Sequence, residues 1–304
     1  MAKADIEDLK KRLEKIHPKL FEALKEKKNF FSFRANLHKT TPNEVIARLE
    51  KEGFTPKKVQ NFENAFILPI KERKKIIKSP VYTNELIYIQ NLSSIFAAGA
   101  LDIQKEDWVL DLAAAPGGKS LIFSEKAQKV SAVEPNKERF FRMKRNFKQK
   151  GAKNIQTYNK DGRFVYKSCP MWFDKVFLDA PCSSEAHIEL EKGITWWNLR
   201  RIHKFAKLQK ELIISAFESL KSGGEMIYAT CTFAPEENEA VVNFLLQRYP
   251  NAVLLEIEHN LSNTFRGLTS WQGEEFSKEL TKTLHIIPKD AFSGFYLAKI
   301  KKLF

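Results

Sequence analysis

The sequence has 304 residues, of which 43% are hydrophobic, and it carries a formal net charge of +14. This length and apolar content fit one large folded domain, or one domain with a smaller companion, and exclude a chain that is disordered throughout. The positive charge favours a polyanionic partner, most often nucleic acid. A basic surface that only maintains solubility is the alternative.

Three well-separated cysteines, Cys169, Cys182 and Cys231, argue against a disulfide framework and indicate a reducing cytoplasm. No CxxC pair occurs, so a structural zinc site is not expected. The N-terminus is charged and lacks the apolar core of a signal peptide, and no apolar run approaches the roughly 20 residues that a membrane span needs. We expect a cytoplasmic, monomeric protein without a membrane or metal partner.

Residues 1–80 predict a helical and α/β region. An apolar stripe at helical spacing predicts a helix over 4–16, and a shorter helix follows around Leu20–Leu24. A strand is predicted over 30–36 and another over 65–68. Between them, Thr41 and Glu44 form a capping box for a helix that runs to Glu50. A lysine-rich connector over 71–78 closes the region, which we expect to recognise the polyanionic partner.

Residues 81–304 predict strands that alternate with helices. Strands are predicted over 108–113, 129–133, 155–158, 173–179, 225–229, 253–257 and 295–300, and helices over 120–126, 135–150, 203–220 and 235–249. This alternation indicates an α/β fold with a mostly parallel sheet covered on both faces. In such a sheet, ligands bind beyond the carboxyl ends of the strands.

A loop of small residues and four carboxylates fall at those strand ends. The loop, Ala113-Ala114-Ala115-Pro116-Gly117-Gly118-Lys119, matches neither a phosphate-binding GxxxxGK[ST] nor a GxGxxG pattern, and an ordinary tight turn explains it equally well. The carboxylates are Asp111, Glu134, Asp161 and Asp179. In this architecture Glu134 takes the position that holds a ribose, and Asp161 is placed to reach an adenine amino group. Together the four favour a cofactor that contains a nucleoside.

Two of the cysteines follow neighbouring strands of this sheet. Cys182 lies in Asp179-Ala-Pro-Cys182 after the fourth strand, and Cys231 lies in Thr230-Cys231-Thr232 after the fifth. Both thiols are therefore expected at one rim, near the cofactor. Such a thiolate can add to C6 of a cytosine and make C5 reactive towards a methyl donor. For Cys169 we expect only a small buried hydrophobic side chain.

These segments, in this order, resemble the motifs of the Sun-type family of RNA cytosine-5 methyltransferases. The likeness runs from about residue 33 to the C-terminus and includes Phe33-Arg34-Ala-Asn36, Tyr88–Ser94 and Gly294-Phe295-Tyr296. The resemblance implies a Rossmann-like class I methyltransferase with a seven-stranded sheet over 81–304. It also implies S-adenosylmethionine as cofactor, and RNA as the substrate that is methylated on cytosine C5 through a covalent adduct.

The resemblance also implies roles for individual residues. Cys231 would be the nucleophile, Cys182 would help release the product, Asp179 would contact the cytosine edge and Lys119 would lie near the target base. The expected cofactor-binding residues are Asp111, Ala113, Ala114, Ala115, Pro116, Gly117, Gly118, Lys119, Glu134, Arg139, Asp161 and Asp179. Two departures from the family pattern concern substrate contacts: Ser184–His187 replaces a glycine-rich run, and His285 replaces an arginine.

Contacts to RNA are expected from basic segments. These are a helix with seven cations between Lys137 and Lys150, the connector 71–78, and Trp196-Trp197 beside Arg200-Arg201. A solvated face is the alternative for the basic segments. For the tryptophan pair, packing in the core and stacking on bases remain equally open.

We favour ribosomal RNA over transfer RNA as the target, and no motif in the sequence distinguishes the two. A methyltransferase for a small molecule or a protein would leave the charge and the paired thiols unused. A non-catalytic assembly factor would tolerate loss of Cys231. A DNA methyltransferase would use Cys182 as its nucleophile.

Overall fold

A computed structural model describes residues 6–304. Its N-terminal part has helices α1 (Ile6–Ile16), α2 (Leu20–Lys25), α3 (Pro42–Lys51), α4 (Arg73–Ile76) and α5 (Pro80–Thr83), and strands β1 (Phe30–Ala35), β2 (Lys57–Lys58), β3 (Ala65–Pro69) and β4 (Ile87–Ile89). The capping box of α3 is formed, with Thr41 Oγ1 accepting from the Glu44 N–H at 3.3 Å and the Glu44 carboxylate accepting from the Thr41 N–H at 3.0 Å. Residues 4 and 5 of the predicted first helix lie outside the described residues.

The small N-terminal sheet is antiparallel, with the strand order β2-β3-β1-β4. It extends past the boundary predicted at residue 80, because β4 pairs with β1 from Ile87 to Ile89. A three-residue strand is too short to show a periodic pattern, which is why the sequence did not predict β4.

Helices α1 and α2 pack away from this small sheet. Their apolar faces, including Leu9, Leu13 and Phe21, lie in one buried cluster with Trp197 and Phe233 of the larger part. Apolar area removed from water in this way stabilises the fold in proportion to its extent. The first two helices therefore complete the core of the larger part.

The larger part contains the helices α6 (Leu92–Gly99), α7 (Gly118–Ser124), α8 (Lys137–Lys150), α9 (Val165–Ser168), α10 (Leu199–Ser219) and α11 (Glu239–Arg248). Its strands are β5 (Trp108–Asp111), β6 (Lys129–Val133), β7 (Ile155–Tyr158), β8 (Phe173–Asp179), β9 (Leu220–Thr230), β10 (Ala252–Leu255), β11 (Thr264–Arg266), β12 (Ser270–Trp271), β13 (Glu274–Glu275), β14 (Leu284–Ile286) and β15 (Phe295–Lys302).

The central sheet follows the order β11-β14-β15-β9-β8-β5-β6-β7, and β10 also pairs with β15. The five strands from β7 to β9 run parallel, which confirms the α/β class. Among residues 6–304 this sheet has nine strands, two more than the seven expected. The reason lies in β15, whose free edge pairs with β14 over 295–297 and with β10 over 299–302. Two short strands, β14 and β10, thus share one edge of β15. Strand β11 then pairs with the outer edge of β14.

Buried ion pairs join the N-terminal sheet to the larger part. Arg34 on β1 is 2% exposed and pairs with Glu125 after α7. Lys150 at the end of α8 pairs with Glu85, and its ammonium donates to the Ile87 carbonyl at 2.7 Å. The two sheets therefore share one fully buried ion pair and a second one in which Glu85 is partly exposed.

Candidate functional site

Two adjoining cavities lie at the carboxyl ends of the parallel strands. The larger measures about 470 Å³, and its lining includes Ala113, Ala115, Glu134, Arg139, Asp161, Asp179, Cys182 and Cys231. The smaller measures about 190 Å³ and is lined by Tyr88, Ile89, Gln90, Ser94, Asp111, Ala113, Ala114, Ala115, Pro116, Gly118, Lys119 and Asp179. The predicted site residues thus come together at one rim, with the exception of Gly117, which lines neither cavity.

Gly117 determines the conformation of the loop, although it lines neither cavity. Its φ of +98° is a left-handed conformation that glycine adopts freely, and its N–H donates to the Ala114 carbonyl at 2.7 Å. A Cβ at this position would stand 2.4 Å from the ring of Phe147 on α8. Both the turn and the close approach of α8 therefore require a glycine here.

Asp111 offers an unsatisfied acceptor to the smaller cavity. The carboxylate is buried, and its Oδ2 accepts from the Ser120 hydroxyl at 2.6 Å. Its Oδ1 finds no hydrogen-bond partner among residues 6–304. Burial raises the pKa of Asp111 to about 7. A buried acceptor without a partner is costly, so this site fits a ligand that brings an N–H donor.

Glu134 and Asp161 present acceptors to the larger cavity. Glu134 is 2% exposed and accepts from the Asn136 N–H at 2.9 Å, and Arg139 lies 3.4 Å from its other oxygen. Asp161 is held by the Arg163 guanidinium at 2.7 Å, and this hydrogen bond lowers the pKa of Asp161. The carboxylates after β6 and β7 thus line the same cavity, and each is held by an arginine.

Lys119 and Asp179 form an ion pair between the two cavities. The Lys119 Nζ lies 2.6 Å from the Asp179 Oδ2. Burial favours the neutral amine, but the charge and the hydrogen bond of Asp179 outweigh burial and raise the pKa of Lys119. The pair places a cation and a carboxylate where both cavities meet.

The two thiols lie in contact on the wall of the larger cavity. The sulfurs of Cys182 and Cys231 are 3.3 Å apart, and the Ser184 hydroxyl lies 3.6 Å from the Cys231 sulfur. A hydrogen bond from the Cys182 thiol holds the pKa of Cys231 well below its usual value. The same contact, together with burial, raises the pKa of Cys182. The contact therefore favours the proton on Cys182 and the thiolate on Cys231.

Buried polar side chains fix the loops that carry the thiols. The Ser183 and Thr232 hydroxyls are 2.8 Å apart, which ties the loop after β8 to the loop after β9. Glu237 accepts from the Ser183 N–H at 2.9 Å, and Thr230 donates to the Asn238 side chain at 2.6 Å. Glu237 and Asn238 precede α11, which begins at Glu239 and not at Pro235 as predicted, because residues 235–238 form turns. The polar run after Cys231 is thus a scaffold for the thiol pair.

The segments that depart from the family pattern take defined places. His285 is buried, its Nε2 lies 2.7 Å from Glu239, and its ring stacks on Phe265 with centroids 4.3 Å apart. Its role is therefore in the core. His187 ends the short turn after Cys182, and the Cys231 thiol raises the pKa of His187. Sequence reasoning treated His187 only as a departure in substrate contacts, and its position five residues after Cys182 was the one available signal.

Some of the aromatic and basic side chains that were predicted to contact RNA are exposed, and others are buried. Trp197 is buried and its indole N–H donates to Glu185 at 2.8 Å, whereas Trp196 is 37% exposed beneath the Arg201 guanidinium. Lys150 is buried in its ion pair with Glu85, which removes it from the basic face of α8. The exposed cations of α8 are Lys137, Arg139, Arg142, Lys144, Arg145 and Lys148.

Residues 6–304 contain neither a candidate membrane span nor a candidate metal site. Within that range, no helix is both long and apolar enough to cross a bilayer. The same residues contain no group of three or more histidine, cysteine, aspartate or glutamate side chains placed to hold a metal ion. Cys169 lies apart from the thiol pair, in an apolar groove beside Trp108 and Phe164.

The chain resembles known proteins over most of its length. Residues 98–301 match the sequence model of the family described as 16S rRNA methyltransferase RsmB/F. A tRNA (cytosine(49)-C(5))-methyltransferase from Pyrococcus abyssi is 35% identical over 73% of this chain and 72% of its own length. Ribosomal RNA small subunit methyltransferase F from Vibrio vulnificus is 33% identical over 90% of this chain, which spans only 57% of that protein.

The fold has a close structural counterpart. The crystal structure of a methyltransferase homologue from Pyrococcus horikoshii superposes with a TM-score of 0.78 and 30% identity, and the match covers 94% of this chain and 90% of that protein. The order of motifs, the family match and the shared fold agree. The chain therefore belongs to the RsmB/F family of 16S rRNA methyltransferases, the Sun-type RNA cytosine-5 methyltransferases that its motifs resemble.

Proposed function

We propose that this protein transfers a methyl group from S-adenosylmethionine to C5 of a cytosine in RNA. One observation carries the proposal: two cysteine sulfurs lie 3.3 Å apart on the wall of a cavity that Glu134 and Asp161 also line. A methyltransferase for another substrate would need the carboxylates but not the thiol pair.

The cofactor fits the donors and acceptors of the two cavities. The unpartnered Oδ1 of Asp111 suits the ammonium at the methionine end of S-adenosylmethionine. Glu134 would bind the ribose hydroxyls, and Asp161 would accept from the adenine amino group. Arg139 supports this arrangement by donating to the Ala115 carbonyl at 2.8 Å, next to Glu134. When bound, the cofactor supplies an electrophilic methyl group.

The thiol pair supports covalent catalysis on the base. Cys231 would add to C6 of the cytosine, which makes C5 electron-rich enough to accept the methyl group. After the C5 proton leaves, the bond between Cys231 and C6 breaks and the thiolate is restored. Cys182, whose sulfur lies 3.3 Å from that of Cys231, would assist this release. Asp179 and Lys119 would contact the base where the cavities meet.

The basic surfaces support RNA as the substrate. We propose that residues 1–80 recognise RNA, with the exposed cations of α8 as further phosphate contacts. Ribosomal RNA is the first candidate, since the ribosomal RNA relative aligns with 90% of the chain. Transfer RNA is the second, since the 35% identical relative is a tRNA methyltransferase. Because the mechanism needs free thiols, we place the protein in the reducing cytoplasm, as a monomer.

The test uses tritiated S-adenosylmethionine with total ribosomal RNA and total transfer RNA, each lacking the modification at its candidate sites. Labelled RNA is then sequenced after bisulfite treatment. We expect label at a cytosine that resists bisulfite in one of the two pools.

Cysteine variants identify the nucleophile. Cys231→Ala is expected to abolish labelling, and Cys182→Ala to accumulate a covalent protein–RNA adduct that survives denaturing gel electrophoresis. Cys169→Ala is the matched control, because this third free thiol lies away from the cavity, and it should retain full activity. Full activity in Cys231→Ala would contradict the proposal. Activity lost only in Cys182→Ala would indicate the chemistry of a DNA methyltransferase.

A further inference from the structure

Ser184 lies next to both thiols on the wall of the larger cavity. Its hydroxyl oxygen is 3.6 Å from the sulfur of Cys231 and 3.9 Å from the sulfur of Cys182, and the two sulfurs are 3.3 Å apart. All three side chains line the cavity in which we place the reaction. The hydroxyl of Ser184 is therefore a direct neighbour of the atom that would attack the base.

The backbone of Ser184 is strained. Its φ of 63° and ψ of 36° lie in the left-handed region, which is costly for a residue that has a Cβ. Such residues persist where the surrounding structure holds them, and they concentrate at functional sites. A glycine would form this turn without strain, so the turn alone does not explain a serine at this position.

Hydrogen bonds on either side of Ser184 hold it in this conformation. Before it, the Ser183 N–H donates to the buried Glu237 at 2.9 Å, and the hydroxyls of Ser183 and Thr232 are 2.8 Å apart. After it, the buried carboxylate of Glu185 accepts from the Thr232 hydroxyl at 2.9 Å. Because Thr232 directly follows the nucleophilic cysteine, the backbone that carries the Ser184 hydroxyl is fixed relative to the thiol pair.

The Ser184 hydroxyl has one proton, which it can donate to a sulfur or to a carbonyl. The backbone carbonyl of Cys182 is 3.4 Å away, which exceeds the usual spacing of about 2.8 Å for this kind of hydrogen bond. A cysteine sulfur that attacks carbon has lost its proton and can only accept. A charged acceptor binds the hydroxyl proton more strongly than a neutral carbonyl does. In the reactive state, the hydroxyl therefore donates to the sulfur of Cys231.

We infer that Ser184 is a further catalytic residue of this chain, and that its hydroxyl donates a hydrogen bond that stabilises the thiolate of Cys231. The serine keeps its own proton, so no covalent bond forms or breaks in this interaction. The thiol of Cys182 is a second donor to the same sulfur. The role in methyl transfer rests on the proposed function, whereas the hydrogen bond itself is a property of the free protein.

The test measures the reactivity of Cys231 without RNA or cofactor. Alkylation by iodoacetamide is followed across the pH range by peptide mass spectrometry, which distinguishes Cys231 from Cys182 and Cys169. In both Ser184→Ala and Ser184→Gly, we expect the midpoint of the Cys231 profile to rise by about one pH unit, which is about a tenfold lower thiolate fraction on the acidic side. Ser222→Ala, at an exposed position near the start of β9, should match the unmodified protein.

The two variants separate the hydroxyl from the backbone strain. Alanine removes the hydroxyl but keeps the Cβ, whereas glycine removes both, so only Ser184→Gly should raise Tm. The midpoint of alkylation should nevertheless shift equally in both variants, because both lack the hydroxyl. An unshifted midpoint in either variant would overturn the inference, since a shift in one alone would come from the backbone.

The other groups that influence Cys231 are the same in both variants. Cys182 and His187 lower the pKa of Cys231, whereas burial and Asp179 raise it. Lys119 is bound by Asp179 at 2.6 Å. A shift common to the alanine and glycine variants therefore reports the loss of the hydroxyl.

Activity measurements distinguish this inference from the proposed function. A shifted midpoint in a protein that methylates no RNA would refute the proposed function and leave the hydrogen bond supported. With active enzyme, the acidic limb of kcat/KM should shift by the same amount as the alkylation midpoint in both Ser184 variants, while the affinity for S-adenosylmethionine stays constant. An acidic limb that does not shift would overturn the catalytic role of Ser184.

Discussion

Replacement of Asp111 by asparagine should stabilise the ligand-free protein. Burial raises the pKa of this carboxyl from 3.8 to about 7. One pH unit corresponds to about 1.4 kcal/mol, so the ionised carboxylate costs the fold about 4 kcal/mol above pH 7. Asparagine keeps an oxygen for the Ser120 hydroxyl and removes the charge. For a chain of this size, we expect a rise in Tm of about 8 °C, at about 2 °C per kcal/mol.

The pH dependence gives the sign of the effect. Because the pKa is raised in the folded state, the unfolded chain gives up this proton first, and stability is lost as pH rises from about 4 to 7. The cost is absent below that window and complete above it. Thermal unfolding of Asp111→Asn should therefore exceed that of the unmodified protein by about 8 °C at pH 8, but by only about 3 °C at pH 5.

A control variant and a second pH value test whether the change in Tm comes from the charge of Asp111. Asp102→Asn removes an exposed carboxylate and should leave Tm unchanged at both pH values. A difference for Asp111→Asn that is equal at pH 5 and pH 8 would refute the reasoning, since the effect would not come from the charge. If Asp111 receives the cofactor's ammonium, calorimetric titration with S-adenosylmethionine should show weaker binding in the stabilised variant.

Three further outcomes are expected. Arg34→Ala leaves Glu125 buried without its partner and should lower the free energy of unfolding in urea by about 3–5 kcal/mol, whereas Lys126→Ala at an exposed pair should change it by less than about 1. Gly117→Ala forces a methyl group against Phe147 and should lower both Tm and cofactor affinity, and an unchanged Tm would refute the steric argument. The logarithm of RNA affinity should fall linearly with that of salt concentration, and Lys144→Gln should reduce the slope by about one. An affinity independent of salt would exclude phosphate contacts by α8.

The sequence predicted the sheet that carries the site because its strands alternate with helices along the chain. The strands at Lys129–Val133, Ile155–Tyr158 and Phe173–Asp179 have the predicted bounds. Once those strands are parallel, their carboxyl ends must share a rim, so Cys182 and Cys231 could be paired without coordinates. The order of the strands determines which residues at their carboxyl ends approach one another. The residues at the strand ends are therefore the part of the site that the sequence predicts best.

Features that depend on tertiary contacts were not predictable in the same way. The packing of α1 on Phe233 depends on a long-range apolar match, and the sequence shows only that α1 is amphipathic. Lys150 belongs to a basic helix in sequence, yet it is the member that turns inward to meet Glu85. The position of His187 depends on the left-handed backbone conformation of Ser184. A serine in the sequence does not predict that conformation.

The ion pairs between the two sheets have a consequence for how a target is chosen. Arg34, Glu125 and Lys150 are buried, so any displacement of one sheet against the other would leave buried charges without their partners. The N-terminal sheet and the thiol pair therefore keep a fixed position relative to each other. An RNA held by that sheet has to present its cytosine at a set distance and direction from the sheet. The protein therefore selects its target by the shape of the RNA.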